Sequence, residues 1–216
     1  AFMDLEQARW ITEALTEHKT DLEKHLPGEH DQKKHAHNGK TQSHKNIPLK
    51  FEDELDAKKW RNQIISSKTT GQENGARENY INFGAQHINK FLRAEAEEKS
   101  SLPLEDDNIV LLDSIIEKAT IPNDVIVYRG SQHYDFNVGD EFIDKGFLST
   151  TLLLHVATRF IKENGALFEI HVKAGNHVVT GQNKEYELIF PRNAIFKVKN
   201  IRPHFVLKNV TVYQLS

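Results

Sequence analysis

Cysteine is absent from this 216-residue chain, and with it go a disulfide framework, a thiolate zinc site and a thiol nucleophile. Long apolar runs are missing as well. The greasiest stretch, Ile109 to Ile116, is interrupted by Asp113 and falls far short of the roughly 20 residues that a bilayer-spanning helix needs, so no membrane span is expected. Neither sign of charge dominates, since 28 Lys and Arg stand against 31 Asp and Glu. Without a positive field there is no global attraction to nucleic acid or anionic lipid, and no nucleic-acid partner is expected. Gly-x-Gly-x-x-Gly after a first strand and a Gly-Lys-Ser/Thr phosphate loop are both lacking; a nucleotide would have to be bound by other means. The chain opens on Ala1 rather than methionine, which leaves a removed secretion signal open, although the opening residues are charged.

What is present divides into two textures. Leu5, Ala8, Ile11, Leu15, Leu22 and Leu26 recur at helical steps until Pro27-Gly28 ends the pattern. Residues 27–46 are polar, carry His30, His35, His37 and His44, and offer almost nothing apolar to bury, which reads as a surface connector. Helical spacing returns at Phe51, Leu55, Trp60 and Ile64, pauses over 66–75, resumes from Ala76 through Tyr80, Ile88 and Leu92, and appears again over Asp107–Ala119. From Val125 the chain turns to short β-branched and aromatic runs: 125–128, 142–148, 166–172, 177–180, 186–190, 195–201 and 206–215. One helix is expected among them, around His155 to Glu163, with Val156, Ala157 and Phe160 inward. Helices first and strands afterwards predict an α+β fold, with residues 1–46 as an extension and 47–216 as one domain.

Three groups at strand ends could carry chemistry: Tyr128-Arg129-Gly130, Phe147-Leu148-Ser149-Thr150-Thr151, and Glu185-Tyr186-Glu187. In an extended segment Glu185 and Glu187 point to one side and Tyr186 to the other. Two carboxylates held together raise one pKa unless they meet a cation or stabilise one in a transition state. Each group taken alone also fits ordinary surface chemistry: a solvated Glu-x-Glu face, an arginine in a structural ion pair, a Ser/Thr strand edge.

Their order along the chain resembles the Arg/Ser-Thr-Ser/Glu-x-Glu class of mono-ADP-ribosyltransferases, closest to the bacterial exotoxin-type enzymes that modify arginine. The similarity extends over about residues 60–216. It takes in Leu111 to Ala119 leading through Ile121-Pro122 into Val127 to Gly130, Tyr80 ahead of Ile88 to Arg93, and Phe190-Pro191-Arg192-Asn193 before a strand. The resemblance implies helices packed on two small, roughly perpendicular mixed sheets that enclose a cleft for NAD. It assigns Arg129 to the NAD phosphates, Ser149 to a hydrogen bond that steadies Glu187, and Glu187 to the nicotinamide ribose and its developing oxocarbenium charge. Glu185 would receive the incoming guanidinium and help deprotonate it. Thr150 and Thr151 complete the serine motif, with Thr151 in place of the usual second serine. Arg159 either reaches a phosphate or decorates its helix; Tyr80 either packs near the nucleotide or belongs to the core; Gly130 would let the backbone approach the ligand.

The implied partners are NAD, used as a substrate with no metal required, and an arginine-bearing host protein, actin being a candidate by resemblance alone. The implied setting is secretion from a bacterium and action inside a host cell. Two other readings remain: an NAD glycohydrolase with water as acceptor, which Glu185 argues against, and a metal-binding or adaptor role for the histidine-rich tract, whose flexible ligands would bind weakly.

Overall fold

The computed structural model describes residues 47–64, 68–101 and 106–216; the N-terminal helix and the histidine-rich connector expected before residue 47 lie outside them. Helix α1 (Glu54–Arg61) starts at Asp53, whose carboxylate accepts the Leu55 and Asp56 N–H groups, and runs into a 3₁₀ turn at Asn62–Ile64. Ala57, Trp60, Arg61 and Ile64 form its inward stripe, at steps of three and four that keep one face toward the core. Helix α2 (Gly71–Asn79) begins within the segment expected to be loop. There Thr70 and Glu73 cap each other's backbone N–H, which satisfies two helix-end donors before any apolar stripe begins. A π-turn at Tyr80–Gly84 joins α2 to α3 (Ala85–Arg93). A short α4 (Ala96–Lys99) and then α5 (Asp106–Glu117) follow, the latter burying Ile109, Leu112, Ile115 and Ile116.

The strands are β1 (Val125–Ser131), β2 (Glu141–Asp144), β3 (Leu148–Thr151), β4 (Ala166–Val172), β5 (Val179–Thr180), β6 (Glu187–Phe190), β7 (Ala194–Pro203) and β8 (Thr211–Leu215), with α6 (Leu154–Thr158) after β3. The single run expected over 142–148 is broken in two because Asp144 accepts the Gly146 N–H at 2.9 Å and turns the chain between β2 and β3. Helix α6 is shorter than expected: beyond Thr158 the backbone peels away, Lys162 N–H bonding the Ser131 carbonyl at 3.1 Å. Val156 and Ala157 are buried, but Phe160, expected inward, is 47% exposed.

Spatially the strands run β2-β7-β8-β4-β1-β3-β6-β5, antiparallel except for β4 with β8. This is the mixed α+β architecture expected, with one refinement. The two sheets of the expectation are joined in a single hydrogen-bonded order, and the link between β1 and β3 is one residue pair, Tyr128 with Thr151. By contrast β1 and β4 share seven pairs.

Both faces of the sheet are covered. All four residues of β6 are buried, Leu188 and Phe190 in the core cluster that holds Trp60, Val127 and Phe168, and Ile189 in the second cluster, with Tyr80, Ile88, Leu112 and Phe147. Each such side chain withdrawn from water contributes about 1.5–3 kcal/mol, so the strand that begins with Glu187 is among the most firmly held.

The helical layer is pinned by Glu73, whose carboxylate accepts from Thr70 N–H, Ser114 Oγ and the Lys118 ammonium. Lys118 first, then Ser114 and Thr70, hold its carboxyl down to about 2. A carboxyl lowered on folding stabilises above the ordinary carboxylate range and loses that contribution as pH falls toward its folded value. Glu73→Gln is therefore expected to lower the melting temperature at pH 7, and the gap to the parent should narrow steadily between pH 4.5 and about 2. Thermal melts of both proteins across that range check it; a gap independent of pH would contradict the assignment.

Candidate active site

The middle of the sheet gathers the three motifs. In β1 the side chain of Arg129 leaves the strand toward β3, where its Nη1 donates to the Ser149 carbonyl at 2.6 Å. Strand β3 lies antiparallel on β6 with Thr151 opposite Glu187. The two motifs far apart in sequence thus become adjacent by register. Arg129, Gly130, Ser149, Thr150, Thr151, Glu185 and Glu187 all line one open cavity of about 410 Å³, closed on its far side by Val156, Ala157 and Phe160. A second hollow of about 650 Å³ adjoins it, sharing Arg129, Ser131 and Gln132, with the stacked rings of Tyr134 and Phe136 in its wall.

Glu187 is nearly buried, at 9% exposure. One of its carboxylate oxygens accepts the Gln182 N–H at 2.7 Å, and the backbone of the same turn closes through Gly181 N–H to the Glu187 carbonyl and Glu187 N–H to the Gln182 carbonyl. The turn approaches so closely that a Cβ at Gly181 would fall within the Glu187 carboxylate. Glu185 is half-buried. Burial and then the charge of Glu187 push its carboxyl up, and Arg159 opposes them. For Arg129, burial pulls the guanidinium below its usual value, while Asp144 works the other way; Asp144 is itself bound by both Arg93 donors at 2.8 Å.

Several expectations need correction. Glu185 and Glu187 do share a cavity, but not by strand alternation. Glu185 ends a 3₁₀ turn (Asn183–Glu185), and Tyr186 is left-handed at φ 50° before β6 begins. Tyr186 does point away, its hydroxyl donating to Glu54 at 3.0 Å. Tyr80 does not line the cavity. It is 1% exposed, edge-on to Phe147, with its hydroxyl accepting from Asn89 and lying against that of Ser149, so it backs the serine from the core side. The Glu187 carboxylate accepts the Gln182 N–H, and the Ser149 hydroxyl lies against that of Tyr80. Gly130 is required by the protein's own packing: a Cβ there would overlap the Ala157 carbonyl and the backbone of Phe160 and Ile161. Arg159, exposed at the end of α6, is outside the cavity wall and acts on it through its field at Glu185.

The threonines have defined work. Thr150 Oγ1 donates to the Leu188 carbonyl at 3.0 Å and Thr151 Oγ1 to the Glu185 carbonyl at 2.6 Å. Thr151 in place of serine therefore retains a hydroxyl that ties β3 to the glutamate turn. Among the described residues no group of three or more His, Asp or Glu side chains is placed to hold a metal ion; the histidine-rich tract lies outside them.

Sequence reasoning missed Arg61, Gly181, Gln182 and Asn183. Arg61 is 5% exposed and donates to the Glu187 carbonyl at 3.1 Å, to Asn183 Oδ1 at 2.6 Å and to the Gly181 carbonyl. Arg61 stands at a core position of the stripe 57, 60, 61, 64, where burial requires polar partners.

An arginine, a hydroxyl-bearing strand and a buried glutamate face one another across a cavity on the mixed sheet. Residues 56–213 match the family model of the ADP-ribosyltransferase exoenzyme, and the chain belongs to that family; it is an NAD-dependent transferase of the bacterial toxin type. No curated protein matches the chain. Among solved structures it is similar to the ADP-ribosyltransferase Vis of Vibrio splendidus in complex with agmatine, at 26% identity over 75% of this chain and 81% of that one, with a TM-score of 0.62. C3stau2 from S. aureus with NAD shares the fold at 18% identity, covering 78% and 97% with a TM-score of 0.64. So does the C2-I component of the C2 toxin of Clostridium botulinum, at 21% identity, 78% and 49% coverage and a TM-score of 0.62.

Proposed function

We propose that residues 47–216 are a catalytic domain that transfers ADP-ribose from NAD to arginine side chains of a target protein. The observation that carries this reading is Glu185, a half-buried carboxyl in the same cavity as Glu187 and two residues before it. Hydrolysis of NAD has no use for a second carboxylate there, whereas a guanidinium acceptor does. The similarity to Vis, solved with the guanidino amine agmatine, supports the same acceptor chemistry.

In the proposed reaction Arg129 receives the NAD diphosphate, and the two adjoining hollows that meet at Arg129 take the two ends of the dinucleotide. A planar donor fork suits paired phosphate oxygens. The bond between ribose C1′ and the nicotinamide nitrogen breaks with its electron pair leaving on neutral nicotinamide, and the ribose becomes an oxocarbenium ion. Glu187 stabilises that cation more than it stabilises uncleaved NAD, which is the condition for acceleration. A guanidinium nitrogen then attacks C1′, and its proton passes to Glu185, whose raised carboxyl is suited to accept it. Ser149, backed by Tyr80, lines the nicotinamide side, and Arg159 sits near the cavity mouth. The setting we propose is that of a secreted bacterial effector acting on an arginine-bearing host protein, actin being one candidate.

Glu185→Gln separates this reading from a glycohydrolase. Transfer to agmatine is expected to fall by about 10²-fold or more, the scale of losing a positioned proton acceptor, while nicotinamide release to water persists near the parent rate. Both products are read in one assay of labelled NAD; unimpaired transfer by the folded variant would remove arginine as the acceptor.

A further inference from the structure

We infer that Arg61 is a positioning residue that fixes the Gly181–Glu187 turn and, through it, the Glu187 carboxylate in the cavity. The inference rests on the reading of Glu187 given above.

Arg61 is the last residue of α1 and stands on that helix's apolar stripe beside Trp60. A cation in such a place loses its hydration and needs compensation. Arg93, Arg192 and Arg202 each obtain it from a carboxylate, Asp144, Asp113 and Glu169 respectively. Arg61 obtains it from two carbonyls and an amide oxygen, those of Gly181, Glu187 and Asn183. All three acceptors belong to one turn. The rigid fork of the guanidinium spans both ends of that turn and its middle, which a single-point donor could not do.

The turn requires such a device. Tyr186 is left-handed at φ 50°, a conformation that a non-glycine residue keeps only where its surroundings fix it. Gln182 must present its N–H to Glu187 Oε2 at 2.7 Å while its side chain reaches the Ile81 carbonyl, at 3.1 Å, in the π-turn. If the turn opens, the carboxylate loses its backbone donor and its direction.

Charge links the same two residues: burial lowers the pKa of the Arg61 guanidinium, and the neighbouring Glu187 carboxylate opposes that shift.

The test uses the full chain with Arg61→Gln and Arg61→Lys, and two readouts: amide hydrogen exchange over 181–187, and nicotinamide release as a function of NAD concentration. Arg61→Gln is expected to accelerate exchange at Gln182 and Glu187 about tenfold or more, the scale of a lost buried hydrogen bond, with α3 and β4 unchanged. Its kcat should fall about tenfold to 10²-fold, as misplacement of a catalytic group does, with KM for NAD nearly constant. Arg61→Lys keeps the charge and loses the fork, so exchange in the turn should still rise. Parent-like exchange over 181–187 in either folded variant overturns the inference, as does a parent-like kcat in Arg61→Gln. A parent that releases no nicotinamide would instead remove the reading of the site, and exchange would still decide whether Arg61 holds the turn. Should Arg61→Gln fail to fold, exchange in Arg61→Lys decides alone.

Discussion

Glu187→Gln is expected to reduce nicotinamide release and transfer to arginine together, each by about 10²-fold or more, the scale of removing a major electrostatic stabiliser of a transition state. The amide is nearly the same size as the carboxylate and sits at the head of β6, where the three residues that follow are fully buried, so the fold should survive. What is lost is the negative charge beside the ribose as its glycosidic bond breaks. No acceptor replaces that charge, so water and agmatine should suffer alike, in contrast to the separation expected of Glu185→Gln. Binding of NAD should change little because Arg129 is untouched. Equilibrium titration with NAD and the labelled-NAD assay check both halves; parent-level hydrolysis by a folded Glu187→Gln would refute the assignment.

The second large effect distinguishes two glycines that both forbid a side chain. At Gly181 an added Cβ meets the end of a flexible side chain, the Glu187 carboxylate. The carboxylate can swing away, so Gly181→Ala should fold with a melting temperature close to the parent's and lose about 10²-fold in turnover, because the displaced group is the one proposed to stabilise the oxocarbenium ion. At Gly130 the obstacle is backbone: the Ala157 carbonyl and the chain at Phe160 and Ile161. Moving it means moving the end of α6, so Gly130→Ala should be destabilised by about 1–3 kcal/mol, the range for overpacking. Thermal melts and nicotinamide release on the two variants form a crossed pair. Equal losses of stability in both would mean that the turn around Gly181 cannot yield as argued.

The residues that were legible in the sequence are those with a local signature. β4 matches its expected span because Ala166, Leu167, Phe168, Ile170 and Val172 are apolar, and these are the five buried positions of its seven. Arg129, Ser149 to Thr151 and Glu187 were visible as an ordered set, and the register of β3 on β6 brings them together. What escaped was produced by polar side chains bonding nearby backbone and, for Arg61, by long-range contact. The start of α2 depends on a polar capping pair in a segment poor in apolar residues, and the break between β2 and β3 depends on one aspartate side chain. The shared orientation of Glu185 and Glu187 was expected from strand alternation, but a 3₁₀ turn and a left-handed tyrosine bring it about. Arg61 contacts residues 120 to 126 positions away, and no local pattern indicates such partners.

The parallel pairing of β8 with β4 has a bearing on how the chain comes into being. β8 is the last strand in the sequence, yet it stands in the interior of the sheet, between β4 and β7. During synthesis every motif of the cleft, from Arg129 to Glu187, is made before Thr211–Leu215. Until β8 arrives, the side of β4 that it covers, with Leu167, Phe168 and Ile170, has no strand partner, and such an edge recruits other strands. Closure of the sheet between β4 and β7 therefore waits on Thr211–Leu215, and with it the protection of that edge from aggregation.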